Sequence, residues 1–171
     1  SVAEETGWAA EILGMAAAMF PEDSNASKWK DYARFYAFHS LNIEGTLSQT
    51  GEAYPYLSDE LINWRSKSIY DNGLLDNHDF HPSPHYAIGA VNMLNLTKKL
   101  YQKLDLCPYP ELSHNVDFVY QNSILPFIDT EYWRWQNVKR YDWSMAYTCE
   151  KQGSRKPGQV GSLIDAVASS H

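Results

Sequence analysis

Residues 4–20, EETGWAAEILGMAAAMF, put Trp8, Ile12, Met15 and Met19 at spacings of four, three and four, with alanines between them, and Pro21 follows directly. That period belongs to a helix, and the proline forces the residue before it away from helical geometry. The next stretch repeats the device. Ser24 and Asn25 are N-cap candidates, and Trp29, Tyr32, Phe35, Tyr36 and His39 fall on one stripe. Together they predict a helix near 4–20 that turns at Pro21 and returns antiparallel as a helix near 25–42.

A second pair follows at a distance. SPHYAIGAVNMLNLTKKLYQKL has Pro84 where a first helical turn accepts it, and carries Tyr86, Ala90, Met93, Leu94, Leu100 and Tyr101 along an apolar face, predicting a helix near 84–104. PELSHNVDFVYQNSIL, closed by Pro126, predicts a shorter helix near 111–122. Residues 43–82 hold turn residues and no sustained period, the kind of long connection that inside a compact domain is usually functional or disordered, and a functional loop is expected here. DTEYWRWQNVKRYDW is aromatic and irregular, residues 150–161 read as a linker, and SLIDAVASS is a last short helical pattern. The expectation is one all-α unit over 1–171, a succession of helical hairpins with long decorated loops on one side.

Charge and composition narrow the partners. The net charge is -7 and no run of Lys or Arg occurs, so a phosphate backbone is not an expected partner. The longest apolar run is far short of the ~20 residues that a spanning helix takes, and no signal-peptide pattern is visible. Cys107 and Cys149 lie far apart without a CxxC spacing and define no disulfide framework. Two glycosylation triplets, at Asn25 and Asn95, matter only in a eukaryotic secretory pathway. With 12 Tyr and 6 Trp the chain is rich in flat amphipathic rings, which fill cores and also stack on sugars.

The densest chemistry lies at 76–86, DNHDFHPSPHY. Asn77 can donate through its amide, and His78 can act as donor or base because its ordinary pKa of about 6.5 lies near neutral pH. Both can equally cap the following helix by bonding backbone amides. His78, His81 and His85, with gaps of three and four, raise a divalent-metal alternative. Pro82 and Pro84 weigh against it, because they break the register that would set His81 over His85. No cofactor is therefore expected.

In order, the chain reads Glu4-Glu5 before Trp8, an Ala-rich helix, Phe20-Pro21, Trp29 before Ala33, and then Asn77-His78 followed by His81-Pro82. That series resembles the central part of the (α/α) toroid of heparinase II/III-like polysaccharide lyases and related carbohydrate-active proteins. The likeness covers about two-thirds of the chain. In those relatives an acidic pair before a Trp opens one inner helix, and Asn-His followed by His-Pro opens the next. A closed toroid takes roughly a dozen helices of about 11–12 residues plus connections. Only about five are legible here, so the resemblance implies an arc of a larger toroid, its open faces covered by the rest of the toroid or by self-association.

The resemblance further implies β-elimination on an acidic polysaccharide or oligosaccharide, with a secreted or periplasmic location. Asn77 and His78 would hold the uronate carboxylate. His78 or a Tyr would remove the adjacent proton, and Tyr86, or Tyr54 and Tyr56 from the long loop, would protonate the leaving oxygen. Glu4, Glu5, Trp8, His81, Tyr54, Tyr56, Trp133 and Trp135 would line the substrate. A glycoside hydrolase is the rival enzyme, with Glu4 and Glu5 opposed by Asp76 or Asp79, although acids in a first turn also complement the helix dipole. The non-enzymatic rival is a carbohydrate-binding or scaffolding domain whose Trp133, Trp135 and Trp143 stack on sugars without turnover.

Overall fold

The computed structural model describes residues 3–75 and 84–125. Its helices are α1 (Ala3–Met19), α2 (Ala26–Ser40), the single turn α3 (Asp59–Ile62), α4 (Pro84–Lys103) and the short α5 (Val116–Val119), which widens into a π turn over Tyr120–Ile124. Two 3-10 turns, Leu47–Thr50 and Pro110–Ser113, complete the set. Among the described residues there is no strand, only isolated antiparallel bridges of Gly45 with Ser66 and Ile69 with Leu75. The described chain is all-α.

Helix α1 packs on both α2 and α4. Ala3, Gly7, Ala10, Gly14, Ala17 and Ala18 form its buried stripe, and residues this small let neighbouring backbones come close. The contacts fix direction. Gly7 lies against Ser40, Ala90 and Met93, and Gly14 against Ala33, Thr97 and Tyr109. Moving up α1, the numbers fall along α2 and rise along α4. Helix α2 therefore runs antiparallel to α1, and α4 runs parallel to it. The hydroxyl of Ser40 donates to the carbonyl of Ala3 at 2.7 Å, tying the end of α2 to the start of α1.

The main core joins these helices through Leu41, Ile69, Leu75, Leu94, Leu112, Val119 and Ile124. A second cluster, Phe35, Phe38, Leu47, Tyr54 and Leu57, packs the 43–75 connection onto the side of α2 away from α1. That connection is pinned by polar bonds: the backbone N–H of Tyr56 donates to Asp31 at 3.1 Å, and Ser58 caps α3. One side of α1 stays open, with Trp8, Ile12, Met19 and Phe20 exposed by 47, 67, 59 and 58%.

Three details depart from expectation. The predicted helix over 111–122 is broken: Asn115 sits in the left-handed region at φ 55°, between the 3-10 turn and α5. Asn25 makes no side-chain cap for α2. Its backbone N–H instead donates to Asp23 at 2.8 Å, an Asx turn that leads the chain into the helix. Asn95 is buried on α4, so its triplet cannot accept a glycan in the folded protein, whereas Asn25 is exposed.

Candidate functional site

The parallel run of α1 and α4 brings their N-termini to one end of the bundle. Glu4 lies there against Gly89, its carboxylate 3.6 Å from where a β-carbon would stand. Glu5 is exposed in the first turn of α1, Trp8 is half-exposed one turn on, and Tyr86 is half-buried in the first turn of α4 against the main core. Of the residues expected to act on substrate, the structure thus gathers Glu4, Glu5, Trp8 and Tyr86 at one end. Asn77, His78, His81, Trp133, Trp135 and Trp143 lie outside the described residues, as do Asp76, Asp79 and the side chain of His85. Among the described residues no group of three His, Cys, Asp or Glu side chains could hold a metal.

Tyr54 and Tyr56 go elsewhere. Tyr56 is half-exposed on the 43–75 connection, while Tyr54 is buried on the far side of α2. There its hydroxyl donates to Glu111, and the Arg34 guanidinium stands 4.7 Å over its ring. Burial first, and then the bond to Glu111, push the Tyr54 pKa well above the ordinary phenol value, so it keeps its proton. Arg34 grips Glu111 with two bonds, Nε to Oε2 at 3.1 Å and Nη2 to Oε1 at 2.9 Å, and reaches Glu52 at 3.5 Å. Burial opposes the Arg34 charge, but the bond to Glu111 and its charge outweigh it, and the pKa is raised.

Next to this trio is a histidine network. His39, fully buried, makes a short hydrogen bond through Nδ1 to Ser66 Oγ and packs against Phe35, Phe38 and Trp64. Burial, helped by His114, pushes its pKa down to about 4, so it is neutral at pH 7. Its Nε2 has no partner among the described residues. The amide nitrogen of Asn42 donates to the carbonyls of Gly45 (3.3 Å) and Ser66 (3.1 Å), which fixes that amide's orientation. Its oxygen therefore faces His114 Nε2 at 3.3 Å. Asn115, whose nitrogen is 3.1 Å from the same Nε2, donates to Leu41 O at 2.9 Å. His114 Nε2 thus stands between an amide donor, Asn115 Nδ2, and an amide acceptor, Asn42 Oδ1. Burial lowers its pKa, against the opposing pull of Glu111.

Sequence reasoning did not single out Arg34, Asn42, Ser66, Glu111 or His114. The one available signal was an arginine between Ala33 and Phe35 in a helix with few exposed positions, which demands an acid once buried but does not say which. No family model, curated protein or solved structure matches this chain.

Proposed function

We propose that the chain is an arc of an (α/α) toroid in a lyase-like carbohydrate-active protein that cleaves acidic polysaccharide by β-elimination. The observation that carries this reading is the direction of the helices. In such a toroid successive inner helices run parallel and an outer helix returns between them, and the parallel run of α1 and α4 with α2 antiparallel to α1 supports that reading. The end where α1 and α4 begin carries Glu4, Trp8 and Tyr86, and Asn77 and His78 precede α4 in the chain.

A proton beside a carboxylate is weakly acidic until donors stabilise the developing enolate, the work assigned to Asn77 and His78. The base takes that proton, the carbon–oxygen bond to the leaving sugar breaks, a carbon–carbon double bond forms, and the leaving oxygen is protonated. Tyr86 is assigned that last step by its place at the end where α1 and α4 begin, whereas Tyr54 is buried behind α2. Trp8, with its half-exposed ring, favours a second reading in which the same end binds sugar without turnover.

His78→Ala separates a substrate-holding role from a helix cap. Loss of a contact that strengthens in the transition state lowers turnover far more than stability. Loss of a cap lowers the melting temperature, by a free energy of about 0.5–2 kcal/mol, and leaves activity per folded molecule unchanged.

A further inference from the structure

Asn72 is the one asparagine in the chain that a glycine follows. The pair closes a tight hairpin: the Gly73 N–H donates to Tyr70 O at 2.8 Å, the Tyr70 N–H donates to Leu74 O at 2.9 Å, and Gly73 sits in the left-handed region at φ 82°. Asn72 is exposed, whereas Gly73 and Leu75 are buried. We propose that Asn72 is a self-modification site, where the side-chain amide is lost to a cyclic imide that water reopens as an aspartyl or isoaspartyl residue, releasing this hairpin from the Tyr120–Ile124 turn. The proposal does not rest on the β-elimination reading.

The nucleophile is the Gly73 backbone nitrogen and the electrophile is Asn72 Cγ. The nitrogen gives its proton to solvent and bonds to Cγ, the Cγ–Nδ2 bond breaks, and Nδ2 takes a proton from solvent and leaves as ammonia. Water then adds to the imide. Breaking the new bond leaves aspartate, and breaking the original peptide bond leaves isoaspartate, with the main chain routed through the side chain. Three features favour the step. The Leu74 N–H donates to Asn72 Oδ1 at 3.1 Å, which folds the side chain back toward the Gly73 nitrogen and polarises the carbonyl that becomes the oxyanion. Glycine has no β-carbon to obstruct the approach, and every other asparagine precedes a residue that has one. Exposure of Asn72 admits the water. One feature opposes it: the Gly73 N–H must first leave Tyr70 O, so opening of the hairpin gates the rate. The isoaspartyl product does not fit the original packing. A β-carbon on Gly73 would already collide with Asn122, so an extra main-chain carbon has no room there. The bond from the Leu75 N–H to Ser123 Oγ, 2.6 Å, which fastens the end of the connection to the π turn, is then lost.

The test incubates the folded protein at neutral and mildly alkaline pH and reads site and product by peptide mass mapping with isoaspartate-specific labelling. Residue 72 should convert ahead of every other asparagine, and faster at the higher pH because the attacking nitrogen must lose its proton. Ser123→Ala, which takes the acceptor from the Leu75 N–H, should speed conversion several-fold by freeing the hairpin. Asp71→Pro, at an exposed turn position that proline presets, should slow it several-fold. In the purified isoaspartyl form the Leu75 amide should exchange with solvent faster than in the parent, while the amides of α1 and α2 keep their protection. The proposal is overturned if residue 72 stays unmodified, if other asparagines convert as fast, if both variants convert at the parent rate, or if the isoaspartyl form protects the Leu75 amide as well as the parent does.

Discussion

Removing the Glu111 carboxylate tests whether the Arg34 network holds the long connection onto α2. The Glu111 side chain is 1% exposed and that of Arg34 11%, so the pair is screened little by solvent. In Glu111→Ala, Arg34 loses both short bonds and keeps Glu52, 3.5 Å away and 47% exposed, and the Tyr54 ring, while the Tyr54 hydroxyl is left with Thr50 Oγ1 at 3.0 Å. Breaking a buried pair from one side costs about 3–5 kcal/mol. Because Glu52 and solvent at the Arg34 edge take up part of the charge, the expected loss is near the lower end, about 3 kcal/mol. At about 2–4 °C per kcal/mol for a chain of this size, the melting temperature should fall by roughly 10 °C. Urea unfolding of Glu111→Ala beside Glu52→Ala is the assay, the second variant costing at most about 1 kcal/mol because that contact is solvated. Replacing the pair together, with Arg34→Met and Glu111→Leu, should recover most of the loss, since no unpaired charge remains. A single Glu111→Ala within about 1 kcal/mol of the parent would refute the reasoning.

Gly14→Ala should destabilise by about 1–3 kcal/mol, since the added methyl would stand 2.8 Å from Thr97 Cγ2 and the buried Tyr109 hydroxyl. Gly7→Ala, whose nearest neighbour is the flexible Met93 sulfur at 3.3 Å, should be near neutral or stabilising, which paired thermal melts will read. The folded pKa of His39 lies near 4, below the unfolded value of about 6.5, so between those values the unfolded chain binds more protons. Stability should then be full above pH 6.5 and fall as pH drops toward 4, by up to about 1.4 kcal/mol per pH unit from this group; His114 acts in the same direction, and urea midpoints across the range should flatten in His39→Gln. The open side of α1 should drive association: Trp8→Glu with Ile12→Lys should shift the light-scattering mass toward monomer, and a parent already monomeric at all concentrations would count against an uncovered toroid face.

The three long helices were legible because each has a 3.6 period, and α1 and α4 add a proline at one end. Met19 before Phe20-Pro21 stops α1 and Pro84 starts α4, within a residue or two of expectation. The 111–122 segment misled because its apolar spacing is helical, while Asn115 adopts a left-handed conformation that its type tolerates and that periodicity does not register. The parallel relation of α1 and α4 was not written in either segment. It comes from Gly7 and Gly14 meeting Ala90, Met93 and Thr97, contacts that span more than eighty residues. The Arg34–Glu111 pair, 77 residues apart, was illegible for the same reason. Tyr54 illustrates the cost: a tyrosine in a loop suggests an accessible acid, yet Leu47, Leu57 and Phe38 bury it and Glu111 claims its proton.

The most direct measurement is the ultraviolet absorbance of the reaction mixture when the intact protein meets uronate-rich polysaccharides and, in parallel, neutral glucans. β-Elimination conjugates the new double bond with the uronate carboxylate, so absorbance should rise with the acidic polymers alone and the rise should vanish in His78→Ala at unchanged fold. New reducing ends without that absorbance would instead mean hydrolysis, and saturable binding with neither product would mean a sugar-holding domain; either result contradicts the lyase account.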